Sequence, residues 1–397
     1  MSRQVYLDYA ATTFTDPRVV EVMVPYFTES FGNPSSIYSF SERNRKAMAE
    51  ARKQVAAVIG SSPEEIYFTG SGTEADNWVL QGVAFKNRAK GNHIITTKIE
   101  HHAILHTGQF LQKNGYDVTF LDVDAEGRIS LEALKKAVTD KTILVSVMFA
   151  NNEIGTIQPI TEIGAFCKER GIYFHTDAVQ ATAHVPIDVK AMNIDLLSLS
   201  AHKFYGPKGV GALYIKKGVK IENFIHGGAQ ERGRRASTEN VAGIVGLGAA
   251  IELASSRMKS AAERISRLRN MLIDGVMKAV PHAKLNGAPP GERLPNNANF
   301  SFIGIEGETL LLDLDRAGIY GSTGSACSSG SLDPSHVLMA IGLSHELAHG
   351  SLRLTLGEEI TEEDIQYVLS VLPGIVKQRR EMSPLWEDYL KSLDKGR

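Results

Sequence analysis

Two short runs of this chain end on residues that belong together chemically. Phe174-His175-Thr176-Asp177-Ala178-Val179-Gln180 puts a carboxylate at the end of an apolar, strand-like stretch. Ser198-Leu199-Ser200-Ala201-His202-Lys203 puts an amine at the end of another, 26 positions later. A lysine amine can form a Schiff base with an aldehyde, and an aspartate can keep a pyridine nitrogen protonated so that the ring accepts electrons. Those are the two demands of pyridoxal 5'-phosphate chemistry. Taken singly, most lysines are solvated surface residues, so the pair gains meaning only from its neighbours. Ser200 and His202 flank the lysine as candidate donors to a cofactor phosphate, and Gln180 is a candidate donor to the phenolate oxygen.

Four further segments carry candidate chemistry. Gly70-Ser71-Gly72-Thr73-Glu74 lies between a strand and a helix. The backbone N–H groups at Gly72 and Thr73, with the Thr73 hydroxyl, could hold a phosphate at the helix N-terminus; an ordinary turn is the alternative. Glu100-His101-His102-Ala103 opens a helix. His101 there could lie against a cofactor ring and move protons near neutral pH, or simply cap the helix. A metal pair with His102 lacks the Cys/His/Asp cluster that would complete it. Asn151-Asn152-Glu153-Ile154-Gly155 follows the most apolar strand, where Asn152 either shapes a turn or faces a ligand. Arg353, inside the alternating run Ser351-Leu352-Arg353-Leu354-Thr355, could fork onto a substrate carboxylate or form a surface ion pair.

The two cysteines read differently. Cys167 falls on the apolar face of a short helix pattern, Thr161 to Gly171, and is expected to be a buried small hydrophobe. Cys327 lies in Gly321-Ser322-Thr323-Gly324-Ser325-Ala326-Cys327-Ser328-Ser329-Gly330-Ser331, a run too small, polar and flexible for a core. An exposed thiol on a mobile loop is suited to act as a travelling nucleophile.

These residues need a scaffold that brings them together. Between about residues 64 and 216, short apolar strands alternate with helix signals, which predicts an α/β fold with a mostly parallel sheet covered on both faces. Ligands in such folds bind beyond the carboxyl ends of the strands, where the large-domain candidates all fall. A long helical region from about 240 to 279, expected to break near 256, connects to a smaller α+β part whose clearest strand is 298–302. The last residues, 391–397, are expected to fray. With 43 basic and 45 acidic residues the net charge is −2, so no nucleic-acid partner is indicated. Apolar runs are interrupted before spanning length and no apolar signal core follows Met1, so no membrane association and a cytoplasmic location are expected.

Together the motifs resemble the NifS/IscS-type cysteine desulfurases of the aminotransferase-like pyridoxal phosphate superfamily. The resemblance covers nearly the whole chain. It includes Tyr6-Leu7-Asp8-Tyr9-Ala10-Ala11-Thr12-Thr13, Gly72-Thr73-Glu74-Ala75-Asp76-Asn77, Asn151-Asn152-Glu153-Ile154-Gly155, Ser200-Ala201-His202-Lys203 and the Cys327 run. It implies a fold-type-I homodimer with a seven-stranded sheet. Residues 16–258 would form the large cofactor domain and 259–397 the small domain carrying Cys327, with 1–15 joining the small domain. It further implies that Lys203 holds pyridoxal 5'-phosphate and that Arg353 and Asn152 bind the carboxylate of L-cysteine. His101 would act beside the ring, and Cys327 would take the sulfur as a persulfide, for an iron–sulfur scaffold or another acceptor protein. Cys327 is also a candidate transient iron–sulfur ligand. Thr238 would reach the cofactor phosphate of the other subunit. One departure stands out: Ser237 precedes Thr238 where the family usually has glycine, so the backbone of that loop is in question. The rival readings are a selenocysteine lyase, another lyase or aminotransferase of the same fold, or a sulfur-delivery platform with little turnover alone.

Overall fold

The computed structural model describes residues 3–323 and 334–395. Contiguous apolar runs too short for helices, each followed by turn residues, become the central sheet. The strands in chain order are β1 (Val5–Tyr6), β2 (Ile66–Thr69), β3 (His93–Thr97), β4 (Asp117–Leu121), β5 (Thr142–Ser146), β6 (Tyr173–Asp177), β7 (Leu196–Ser200), β8 (Gly211–Ile215), β9 (Ala283–Leu285), β10 (Asn297–Phe302), β11 (Ile319–Tyr320) and β12 (Ser351–Thr355). Seven of them form one sheet in the order β2-β8-β7-β6-β5-β3-β4. Only β8 runs antiparallel to its neighbours; the rest pair in parallel. Every residue of β3, β5, β7 and β8 is buried, as expected where helices cover both faces and strands have no solvent side. The mostly parallel, seven-stranded α/β sheet is therefore the one the sequence implies.

A second sheet, β12-β10-β9, is antiparallel and packs in a separate apolar core. That core contains Phe300, Phe302, Leu352 and Leu354, together with Val5, Leu7 and Tyr9 from the N-terminal segment. β1 pairs in parallel with β11, and Asp8 bridges to Thr355. Residues 5–9 thus belong to this second core, while the next few residues lead into the first.

The long helix differs from expectation. Val241–Ala279 is one unbroken helix of 39 residues, with Asn240 capping it by accepting the Gly243 N–H. The serines near 256 do not interrupt it: the Ser256 hydroxyl donates back to Leu253 O within the helix (2.8 Å), and apolar residues anchor it on either side. Ile244, Leu247, Ala250, Ile251 and Ala254 lie in the core of the large sheet; Ile265, Leu268, Leu272, Ile273 and Val276 lie in the second core. Its apolar half is long and apolar enough to cross a membrane by length and composition, which the interrupted-run argument did not anticipate. Half of that window is buried inside the fold. Cys167 is fully buried, as expected, and burial pushes its thiol up to about 12. A terminal helix, Pro384–Lys395, extends into the stretch expected to fray.

Candidate active site

At the carboxyl ends of β3, β5, β6 and β7 the chain leaves a cavity of about 390 Å³, lined by His101, Asn152, Asp177, Gln180, Ser200, His202 and Lys203 among others. Gly72 and Thr73, at the start of the helix Gly72–Lys86, line one end, and Arg353 from β12 lines it too. Every predicted site residue except Cys327 and Thr238 therefore meets in one place. Cys327 lies outside the described residues. Thr238 lines a separate recess of about 210 Å³ with Gly70 and Arg235. Arg235 is held there by a two-pronged ion pair with Glu74 (2.8 and 2.9 Å).

The end of the cavity at Gly72 fits a phosphate. A Cβ on Gly72 would come within 2.7 Å of Val179 Cγ2, so only glycine lets this helix N-terminus approach the turn after β6. Ser71 caps the helix by accepting the Glu74 N–H (3.1 Å), which leaves the N–H groups of the first turn directed outward. Ser200 and His202 line the same cavity. His202 Nδ1 lies 3.1 Å from Thr12 Oγ1, and burial, then the charges of Lys203 and Lys208, lower its pKa to about 4. It is a neutral donor at physiological pH.

Asp177 ends β6 and is 6% exposed. Its Oδ1 accepts the Val179 N–H (2.9 Å). Burial raises its pKa to about 6, against the pull of that bond and of the Lys203 charge. A second carboxyl, Asp76, lies deeper in the cavity wall, and its pKa is raised well above the usual carboxylate range by burial and then by the Asp177 charge. Burial and the mutual repulsion of the two carboxylates thus favour the proton on Asp76 and the charge on Asp177. Beside Asp76, with Nε2 3.8 Å from its Oδ1, lies His175, fully buried, with Nδ1 2.9 Å from Ser146 Oγ and Nε2 3.0 Å from Ser198 Oγ. Burial drives its pKa down to about 3, so it is neutral.

Lys203 follows β7 in a short 3₁₀ turn. Its Nζ donates to the carbonyls of Ala10 (2.6 Å) and Ala11 (2.7 Å). The Ala10 carbonyl also accepts from Gln180 Nε2 (2.9 Å), so the expected phenolate donor uses one N–H on the backbone. His101 caps the helix His102–Lys113, its Nδ1 accepting the Ala103 N–H (3.1 Å). That bond assigns the ring proton to Nε2 in the neutral form. Burial, then the Lys203 charge, hold its pKa down near 4. His101 is thus both the helix cap and part of the cavity wall, and a pKa this low departs from the expectation that it exchanges protons near neutral pH.

Arg353 is 2% exposed, so it is no surface ion pair. Its Nη2 donates to Asp8 Oδ1 (2.7 Å) and its Nη1 to the Asn152 carbonyl (3.1 Å). Among the described residues its Nε is buried without a partner, leaving a donor for an anion from a group that carries five N–H bonds. Among the described residues no cluster of three or more His, Cys, Asp or Glu could hold a metal; Cys327, the candidate iron–sulfur ligand, lies outside them. Sequence reasoning missed Asp8, Asp76, Glu100 and Glu153 as parts of the site. Glu100, fully buried, accepts from Thr97 Oγ1 (2.8 Å) and Met148 N (3.0 Å), and burial raises its pKa to about 8. Its position beside His101 in the motif was the only signal.

Ser237 has φ +103°, the left-handed region that favours glycine, so the departure from glycine leaves the conformation in place and strains it.

The aminotransferase class-V family matches residues 5–368. The cysteine desulfurase IscS of Clostridium botulinum is 68% identical over 395 residues, covering 99% of this chain and all of that protein. The solved structure of a NifS-like protein superposes with a TM-score of 0.89 at 41% identity, over 94% of this chain and all of the other. That of SspA in complex with cysteine superposes with a TM-score of 0.78 at 38% identity, over 89% and 99%. The chain belongs to the class-V aminotransferase family, in its branch of IscS/NifS-like cysteine desulfurases.

Proposed function

We propose that this protein converts L-cysteine to L-alanine and takes the sulfur onto Cys327 as a persulfide. The observation that carries the reading is the convergence of Lys203, Asp177 and Arg353 on one cavity, in a chain 68% identical to a cysteine desulfurase. The donor set suits pyridoxal 5'-phosphate: Gly72, Thr73, Ser200 and His202 for its phosphate, Asp177 for its ring nitrogen, Gln180 for its phenolate oxygen, Lys203 for its aldehyde. When bound, the cofactor supplies the electron sink that makes the substrate Cα–H acidic.

The protein's own groups do the rest. Arg353 and Asn152 fix the substrate carboxylate, so the amino acid can present Cα to Lys203 in one orientation. Lys203 Nζ, held between the Ala10 and Ala11 carbonyls, takes and returns the Cα proton. His101, neutral with its proton on Nε2, can donate a hydrogen bond from the side opposite its cap bond. The Cys327 thiolate attacks the substrate sulfur, the Cβ–S bond breaks, and Cβ collects a proton. Cysteine plus thiol thus becomes alanine plus persulfide, with no external oxidant or reductant. The persulfide then passes to an acceptor protein such as an iron–sulfur scaffold. Thr238, outside this cavity, is read as serving the cofactor phosphate of a second copy in a homodimer.

The test is Cys327→Ala. The variant is expected to keep the bound cofactor and its spectral response to L-cysteine while alanine and sulfide formation fall to background. Mass spectrometry of the wild type after a brief L-cysteine pulse should find one added sulfur on Cys327. Full turnover in the variant would point to a plain lyase or aminotransferase instead.

A further inference from the structure

Glu153 lines the same cavity as Arg353 and has no part in the chemistry above. Its backbone is held from three directions. Asn151 Oδ1 accepts the N–H groups of Glu153 (2.9 Å) and Ile154 (3.0 Å). Asn151 Nδ2 donates to Ile99 O (2.8 Å). The Glu153 carbonyl accepts from Asn297 Nδ2 (3.1 Å) and Asn299 Nδ2 (3.0 Å) on β10. So rigid a mount is more than a turn requires, and among the described residues the carboxylate it aims has one hydrogen-bond partner. Glu153 Oε2 accepts the hydroxyl of Ser335. Ser335 Oγ is itself the cap of the helix His336–Ala340, accepting the Leu338 N–H (3.2 Å). Its lone pairs serve the helix, so its proton is committed to Glu153.

The two flanks of the cysteine-bearing segment are therefore tied to neighbouring residues. Upstream, Ser322 and Arg353 exchange backbone hydrogen bonds (3.1 and 2.6 Å), and Arg353 in turn donates to the Asn152 carbonyl. Downstream, Ser335 is tied to Glu153. The substrate-carboxylate cradle, Asn152 with Arg353, thus shares its frame with both ends from which Cys327 must be presented.

We propose that Glu153 is a positioning residue for sulfur transfer: by holding Ser335 it registers the downstream flank of the Cys327 segment against the arginine that takes the substrate carboxylate. The proposal rests on the desulfurase reading and on Arg353 as the carboxylate site. In this role Glu153 acts through Ser335 and not on the reacting atoms.

A double-mutant cycle on the cofactor-loaded enzyme tests it. Glu153→Ala and Ser335→Ala are each expected to slow persulfide formation in a single turnover at least tenfold, while the L-cysteine concentration that half-saturates the spectral response moves less than threefold. The double variant should be no slower than the slower single, because both remove one contact. Glu153→Gln, whose amide oxygen still accepts the Ser335 hydroxyl, should recover to within a few-fold of wild type. A merely structural role would weaken L-cysteine binding and thermal stability along with transfer. Should Glu153→Ala not fold, Ser335→Ala and Glu153→Gln carry the comparison. Wild-type transfer rates in Ser335→Ala, or losses that multiply in the double variant, overturn the proposal. Absence of any persulfide on the wild-type enzyme would instead overturn the desulfurase reading, so the two failures are distinct.

Discussion

Replacing Asp177 by asparagine should make the cofactor-stripped protein more stable and the loaded enzyme inactive. Burial raises the Asp177 pKa from 3.8 to about 6, so the folded chain holds this proton more tightly than the unfolded chain does. Stability from this group is then fully present below pH 3.8 and is lost as pH rises through about 6. At ~1.4 kcal/mol per pH unit the loss reaches ~3 kcal/mol by pH 8. Asparagine has the same shape, keeps an oxygen for the Val179 N–H and carries no charge, so it avoids that loss. Urea unfolding of the two stripped proteins should show the variant ahead by roughly 2–3 kcal/mol at pH 8, by about half as much at pH 5, and by little near pH 4. In the loaded enzyme the order of merit reverses, because the charge that costs stability is the one that holds the ring nitrogen protonated. A wild type as stable as the variant at pH 8, or a gap that does not shrink on acidification, would refute the burial argument.

Two further outcomes are expected. Lys203→Ala should bind cofactor without a covalent link, leaving no adduct after borohydride reduction; an adduct elsewhere would displace Lys203 from its role. Ser237→Gly should relieve about 1–2 kcal/mol of left-handed strain and give back roughly 0.4–1 kcal/mol through a freer unfolded chain. A small net gain in the urea midpoint is expected, and a loss would mean that the loop does not hold φ +103° under strain.

The central sheet was legible because strands buried on both faces need unbroken apolar runs, and β3, β5, β7 and β8 have them. Lys203 and Asp177 were legible for a related reason: each closes such a run, and the ends of parallel strands are where a cavity opens. What escaped depends on contacts with no local trace. Asp8 meets Arg353 across 345 positions, and Glu153 meets Ser335 across 182. β1 is two residues long, too short to show alternation, and exists because Leu7 and Tyr9 have a core to enter. The expected break near 256 was a propensity argument; packing on both sides of the serines overrode it. Gln180 was legible as a cavity residue, but its bond to the Ala10 carbonyl was not, since that carbonyl arrives from the far end of the sequence.

The helix Val241–Ala279 leaves the two cores no flexible joint along its length. At ~1.5 Å per residue it is a rod of about 58 Å, with one end packed among the residues of the large sheet and the other among those of β10 and β12. Swinging one core against the other about this connection means bending a continuous hydrogen-bonded ladder, whereas an exposed linker would bend freely. A protease finds no slack crossing here to cut. Melting either core exposes half of the rod's apolar face, so the loss is felt by its neighbour. The distance between Asp177, mounted on one core, and Arg353, mounted on the other, is in this way set by a stiff member rather than by the substrate that spans it.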